Sequence, residues 1–250
     1  TPAECVAIEP ALAPRSDRLA GGLYTPTDES GDAHRFTVSL AERAAQRGVE
    51  FCFGTPVTRL LVQGGEIAGV KYKTRAHENP ILSADAYVVA LGSYSPLLLR
   101  TIGVRIPVYP AKGYSNTFPI ADPARAPNVS LTDEDHKIVF SRLGERLRVA
   151  GTAELTGYST ELNMPRCEAL TKRTRELFPE ACDWQSVSYW AGLRPATPSN
   201  VPVIGRTRYR NLYLNTGHGT LGWTLACGSG KVLTNLIDGK QPEVDFPFLR

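Results

Sequence analysis

The stretch 211-NLYLNTGHGTLGWTLACGSG-230 decides how this chain of 250 residues is to be read. Its first residues predict a strand, Gly217, Gly219 and Gly222 punctuate a turn, and the segment from Gly222 to a stop at Gly239 predicts a helix. All twenty residues pass without an Asp, Glu, Lys or Arg, yet five are glycine and one is histidine. The glycines satisfy G-x-G-x-x-G between a strand and a helix, the local condition for a dinucleotide fingerprint. The residues downstream defeat that reading. Eleven remain after Gly239, two of them proline, too few for the second parallel strand and its ribose-binding acid.

What survives is the physics of the turn. Glycine permits positive φ and close backbone approach, and a helix start offers unpaired N–H groups with roughly half a positive charge. A flat, electron-rich group suits such a place; packing alone is the other reading of the glycines. Gly222, Ala226 and Gly230 recur every four residues and predict a smooth helix face for close packing.

The composition is that of a folded globular chain, with 42% apolar and 21% charged residues. A net charge of +3 points to neither a nucleic-acid nor a membrane partner, and no nucleic acid is expected. Cys5, Cys52, Cys167, Cys182 and Cys227 are scattered without a C-x-x-C pair, which predicts reduced thiols in the cytoplasm. The N-terminal residues lack the basic and apolar regions of a signal peptide and read as a chain entered partway. No stretch reaches the roughly 20 apolar residues of a membrane span; peripheral attachment to the inner membrane stays open.

Upstream, "GDAHRFTVSLAERAAQRGVEF" predicts an amphipathic helix with Phe36, Leu40, Ala44 and Ala45 inward and Gly48 as stop, followed by a short strand "VEFCF". "PVTRLLVQ" and "GGEIAGVKYKT" predict a hairpin turned at Gly64-Gly65, and "ILSADAYVVALG" a third strand ending at Gly92 before a helix-like run. From Val104 to Arg194 the pattern changes to closely spaced strands with one helix near Pro165 to Phe178. The fold expected is α/β with α+β. An α/β layer comprises 31–103 and 195–250, and a mainly antiparallel second domain comprises 1–30 and 104–194.

With "AGLRPATPSNVPVIGRT" at 191–207 followed by "LYLNTGHGTLGWTLACGSG", the chain resembles the D-amino acid oxidase superfamily of flavoproteins. Within it the likeness is greatest to the FAD-dependent dehydrogenases of D-amino acids (small subunit). Family members begin with a βαβ unit carrying the fingerprint for FAD, and nothing before "TPAECVAIEP" supplies it. The resemblance therefore implies an incomplete FAD-binding domain, whose missing N-terminal portion comes from the same or a partner chain, plus a substrate-binding domain.

The resemblance also assigns roles. Gly217, His218, Gly219, Thr220, Leu221 and Gly222 would hold the pyrimidine edge of the flavin, where negative charge gathers on reduction. His218 either donates to flavin or substrate, or bonds within its own loop. Arg194, at the end of "YWAGLR", would bind the substrate carboxylate through its planar fork, with a structural salt bridge as the alternative. "YVVALGSYS" makes Gly92 and Ser93 flavin contacts, and Val57 in "GTPVTRLL" matches the position that meets the adenine. In "YPAKGYS", Tyr114 would shape the substrate pocket and Lys112 lie near the flavin, or both would be structural. His34, His77 and His136 show no ligand spacing, and no metal is expected.

The activity implied is oxidative deamination of a D-amino acid to a 2-oxo acid and ammonia, by hydride transfer to FAD, with electrons passed to a quinone or other respiratory acceptor. The sequence contains no G-x-S-x-G, H-E-x-x-H or P-loop. Two alternatives remain: a noncatalytic fragment or binding module of this fold, and an amine oxidase acting on glycine or sarcosine.

Overall fold

The computed structural model describes residues 1–74 and 78–244, so His77 lies outside the described residues. They form two compact units: residues 1–41 with 112–192, and residues 42–111 with the chain from Leu193 onward.

In chain order the α-helices are α1 (Pro2–Ile8), α2 (Ala33–Ala45), α3 (Ser95–Arg100), α4 (Met164–Leu177) and α5 (Gly222–Ile237). The first strands are β1 (Val57–Gln63), β2 (Glu66–Lys73), β3 (Glu78–Leu82) and β4 (Tyr87–Val89). Then come β5 (Tyr109–Pro119), β6 (Leu131–Asp133), β7 (Ile138–Leu143), β8 (Arg146–Glu154) and β9 (Ser188–Ala196). The last two are β10 (Val203–Arg206) and β11 (Leu212–Thr216).

The first unit is built on the sheet β6-β7-β8-β5-β9, with antiparallel pairing of β6 to β7, β7 to β8 and β8 to β5. Alternation places Phe118, Phe140, Leu147 and Val149 inward, where α4 covers them with Cys167, Leu170 and Leu177. Phe140 and Phe178 meet edge to face at 5.5 Å.

The N-terminal segment joins this core in a way the residue pattern did not announce. Thr1 and Glu4 form a capping box that starts α1. A 3-10 stretch, Pro10–Arg18, comes next and buries Ala11 and Leu12. Between them Glu9, only 1% exposed, accepts from the backbone N–H of Ala11 at 3.1 Å, Asn128 at 2.6 Å and Val129 at 3.0 Å. One buried carboxylate thus satisfies three backbone donors and fastens the segment to the loop before β6.

The second unit holds a meander, β1-β2-β3, and a mixed sheet, β10-β11-β4. Gly64 (φ +58°) and Gly65 (φ +78°) close the β1–β2 hairpin with Gln63 opposite Glu66, as the two-glycine signal predicts.

Four sequence expectations need correction. "ILSADAYVVALG" is two strands in different sheets. A turn in which the Ala84 N–H donates to the Tyr87 hydroxyl separates β3, paired with β2, from β4, paired with β11. "VEFCF" forms no strand, because no described strand offers it a ladder; Phe51 and Phe53 stack on each other at 5.5 Å. Helix α2 lies where predicted, yet none of its residues is buried. On α5 the buried residues are Ser229, Val232 and Leu233, against β10 and β11; Ala226 is exposed, and a Cβ on Gly230 would meet nothing within 4 Å.

Replacing Glu9 by Ala leaves three backbone N–H groups without their acceptor, that of Ala11 buried and those of Asn128 and Val129 partly so, and is expected to destabilise the protein by about 1–3 kcal/mol. Urea denaturation compared with the wild type measures this.

Candidate functional site

Strands β4 and β11 run parallel, with Leu212–Leu214 opposite Tyr87–Val89 in one-to-one register. Both are short, with Leu212 to Leu214 of β11 buried and β4 burying Tyr87 and Val89 while leaving Val88 exposed. Parallel pairing brings their carboxyl ends to the same edge, and each leads to glycine with left-handed backbone: Gly92 at φ +53° and Gly217 at φ +77°, with Gly219 at φ +52°.

Thr216 binds the two ends together. Its hydroxyl donates to the Gly92 carbonyl at 3.0 Å and accepts from the Ser95 hydroxyl at 3.0 Å, with Thr216 and Ser95 both fully buried. Ser93, also buried, donates to the Leu193 carbonyl at 3.2 Å. The terminal residues of β9 thereby join the same edge, and half-buried Arg194 is the next residue along. Pro195 flanks it on the other side, 3.9 Å from where a Cβ on Gly92 would stand.

The glycines divide into two kinds. A Cβ on Gly217 would meet Thr197 at 2.9 Å and Val108 at 3.3 Å, so this residue serves close packing. On Gly219 it would come no nearer than 4.0 Å to Asn200 Oδ1, so there and at Gly92 the backbone is uncovered. Both glycines open 3-10 turns, Gly92–Tyr94 and Gly219–Leu221, which lead into α3 and α5; no side chain caps any of these four starts. Two helix starts with backbone donors thus stand at adjacent strand ends.

Of the other residues in the turn, Thr220 and Leu221 are exposed and Gly222 is half-buried. His218 turns back over α5, its Nε2 lying 2.9 Å from Ser229 Oγ. Burial pushes its pKa below the ordinary histidine value, so the ring is neutral at pH 7. Val57 sits in β1 of the meander and is exposed.

Tyr114 and Lys112 belong to the first unit. Tyr114 is 1% exposed, and its hydroxyl donates to Glu154, a residue without a sequence signal. The Lys112 ammonium, also buried, lies 3.0 Å from Glu154 Oε2 and 2.9 Å from the Glu161 carbonyl; Arg166 approaches Oε1 at 3.5 Å. The Tyr114 hydroxyl, then the Lys112 ammonium, hold the Glu154 carboxyl at about 2.

A bulge creates this cluster. Lys112 faces Glu154 and Tyr114 faces Gly151, so two steps on β5 oppose three on β8. The extra residue spans Thr152, whose φ of +57° is unusual for a β-branched side chain. The slip turns Glu154 toward Lys112, which strict alternation would not do.

Among the described residues no group of three or more His, Cys, Asp or Glu side chains is placed to hold a metal ion, and no helix is long and apolar enough to cross a membrane. All five cysteines are free thiols, with Cys182 pushed up to about 12 by burial. A surface groove on α4, lined by Glu168, Lys172, Arg175 and Tyr189 among others, holds none of the expected site residues.

Paired strand ends with open glycine turns stand at the carboxyl edge of the sheet, the place where open α/β sheets bind ligands. The chain belongs to the FAD dependent oxidoreductase family (DAO), which matches residues 1–236. It is 60% identical over 247 residues to a D-amino acid dehydrogenase of Dechloromonas aromatica, covering 99% of this chain and 59% of that protein. To a D-amino acid dehydrogenase of Paramagnetospirillum magneticum it is 52% identical over 240 residues, covering 96% and 56%. The chain thus spans a little over half the length of the curated relatives it matches. Among solved structures it resembles the glycine oxidase of Geobacillus kaustophilus, with a TM-score of 0.84 and 25% identity, covering all of this chain and 65% of that one. The glycine oxidase of Bacillus cereus gives 0.81 and 25%, covering 96% and 65%.

The residues present fit the flavin cofactor of this family. No side chain fills the space a Cβ would take at Gly92 or Gly219, and Asn215 Oδ1, at the end of β11, is buried with no partner among the described residues.

Thr216→Val keeps the shape but strands the Ser95 hydroxyl and the Gly92 carbonyl; stability should fall by about 1–3 kcal/mol in chemical denaturation. The Glu154 carboxyl is depressed in the folded state, so its stabilisation is complete above pH 4.5 and is lost as pH falls toward about 2. The advantage of the wild type over Glu154→Gln in urea midpoint should be constant above that range and shrink within it.

Proposed function

We propose that this chain forms part of an FAD-dependent dehydrogenase that deaminates D-amino acids oxidatively to 2-oxo acids and ammonia. The observation that carries the proposal is the pair of open glycine turns, Gly92 and Gly217–Gly222, fastened side by side at the ends of β4 and β11. The names of the relatives support the substrate class.

In this reading the unit from Glu42 to Ala111 and from Leu193 onward serves the cofactor and carries Arg194, and the other unit carries Tyr114 and Lys112. FAD, when bound, supplies the two-electron acceptor. The Leu221 N–H donates to the His218 carbonyl at 3.0 Å, and the backbone N–H groups of Gly219, Thr220 and Gly222 would hold a fixed partial positive charge toward the electron-rich edge of the cofactor. Gly92 and Ser93 supply a second contact, and Val57 one toward the adenine. Arg194 takes the substrate carboxylate in its guanidinium fork and so orients the α-hydrogen. Tyr114, which would shape the substrate pocket, and Lys112 are both held in place by Glu154. The α-hydrogen of the neutral amine would leave as hydride, its electron pair going to the two-electron acceptor that FAD would supply, and water would hydrolyse the resulting imino acid to the 2-oxo acid and ammonia. Electrons leave to a quinone or another respiratory acceptor, by peripheral association with a membrane.

The test is anaerobic bleaching of the flavin band of the purified protein with added FAD by D-alanine. Arg194→Ala should raise the D-alanine concentration for half-bleaching by about 10- to 100-fold, the equivalent of lost charge-assisted hydrogen bonds. Bleaching by glycine or sarcosine but not D-alanine would replace this reading with the amine oxidase; a folded protein that binds neither flavin nor amino acid would replace it with a binding module.

A further inference from the structure

His218 occupies the middle of the glycine turn, between two residues with left-handed backbone, and its side chain folds back along α5. Gly222 makes room for this: a Cβ there would stand 3.4 Å from the Cβ of His218. Two turns further along α5 the ring reaches Ser229, which is 5% exposed and is the one polar residue among the three that α5 buries.

The direction of this hydrogen bond is set by its surroundings. A buried hydroxyl proton needs an acceptor. Serine and threonine inside helices commonly find one in the carbonyl four residues back, as Thr234 does by donating to Gly230 at 2.9 Å on the same helix. Ser229 does not: among the described residues its Oγ has His218 Nε2 as sole partner, at 2.9 Å. The hydroxyl therefore donates to Nε2. A neutral imidazole whose Nε2 accepts carries its proton on Nδ1, and Nδ1 has no partner among the described residues.

We propose that Ser229 is the positioning residue of the glycine turn: by donating to Nε2 it holds His218 as the Nδ1–H tautomer, so that the turn presents a side-chain N–H donor. That this donor serves the electron-rich edge of a flavin rests on the function proposed above; the tautomer and its cause do not. Histidine free in water prefers the proton on Nε2, so the effect of Ser229 is an inversion that can be read directly.

The measurement is the long-range proton–nitrogen spectrum of the protein labelled with nitrogen-15 in histidine, with His218 assigned by comparison with His218→Asn. The wild type should show His218 with Nδ1 protonated and Nε2 as acceptor. Ser229→Ala should shift the majority to the Nε2–H form, and Ser229→Thr, which keeps the hydroxyl, should restore the original tautomer. A wild-type His218 protonated on Nε2 overturns the proposal by itself, whether or not any variant folds. So does a tautomer that Ser229→Ala leaves unchanged. An Nδ1–H wild type that fails to bind flavin overturns the cofactor reading and leaves the assignment of Ser229 standing.

Discussion

Everything the candidate site offers depends on the buried hydroxyl of Thr216. Two parallel strands of three and five residues are too short to hold their ends in register by ladder bonds alone. Each end, moreover, leads to glycine, the residue that surrenders most conformational freedom on folding: Gly217 directly after β11 and Gly92 three residues after β4. Thr216 offsets this by bonding across the pair, to the carbonyl of Gly92 and to Ser95 at the start of α3. The bonds lie in a fully buried place, where water does not compete for them. Two turns that would otherwise move separately become one surface.

The absence of charge across residues 211–230 has its origin in the same geometry. The strand is core, with Leu212 and Leu214 fully buried, and the turn behind it is desolvated enough to keep His218 neutral. An ionised side chain at such a strand end would compete with the partial charges of the backbone for the ligand. Polarity is supplied instead by dipoles: N–H groups, a hydroxyl and an uncharged imidazole. Glycine serves two ends here. Gly217 lets the turn pack against Thr197 and Val108, whereas Gly92 and Gly219 leave backbone uncovered. Within the glycine motif, Gly217 is used for close packing, and Gly219 stands open.

Local features were legible in the sequence. The two-glycine hairpin, helix α4, the alternating strands of the antiparallel sheet and the strand–turn–helix at 211–237 depend on neighbouring residues, and the residue pattern carries them. What escaped is set by partners far along the chain. The stretch 81–92 looks continuous but divides because β2 claims one half and β11 the other. On α5 both the small-residue face and the face of Ser229, Val232 and Leu233 have helical period, and only the position of β10 and β11 decides between them. Glu154 carried no signal, because a bulge at Thr152 breaks the alternation by which its direction would have been inferred. Of the site, the glycines and Arg194 were visible as motif; Thr216 and Ser229, which hold them in place, were not.

The Lys112 ammonium touches the last residue of β8 and the carbonyl of Glu161, and so closes the segment 155–160 into a ring without a covalent bond. Removal of Glu154 alone leaves the buried Lys112 ammonium without a counter-charge, whereas Glu154 without Lys112 keeps the Tyr114 hydroxyl and Arg166. Positions 112 and 154 are therefore coupled, so that a substitution at one changes the cost of a substitution at the other. The span that residues 155–160 must bridge is set from outside the loop.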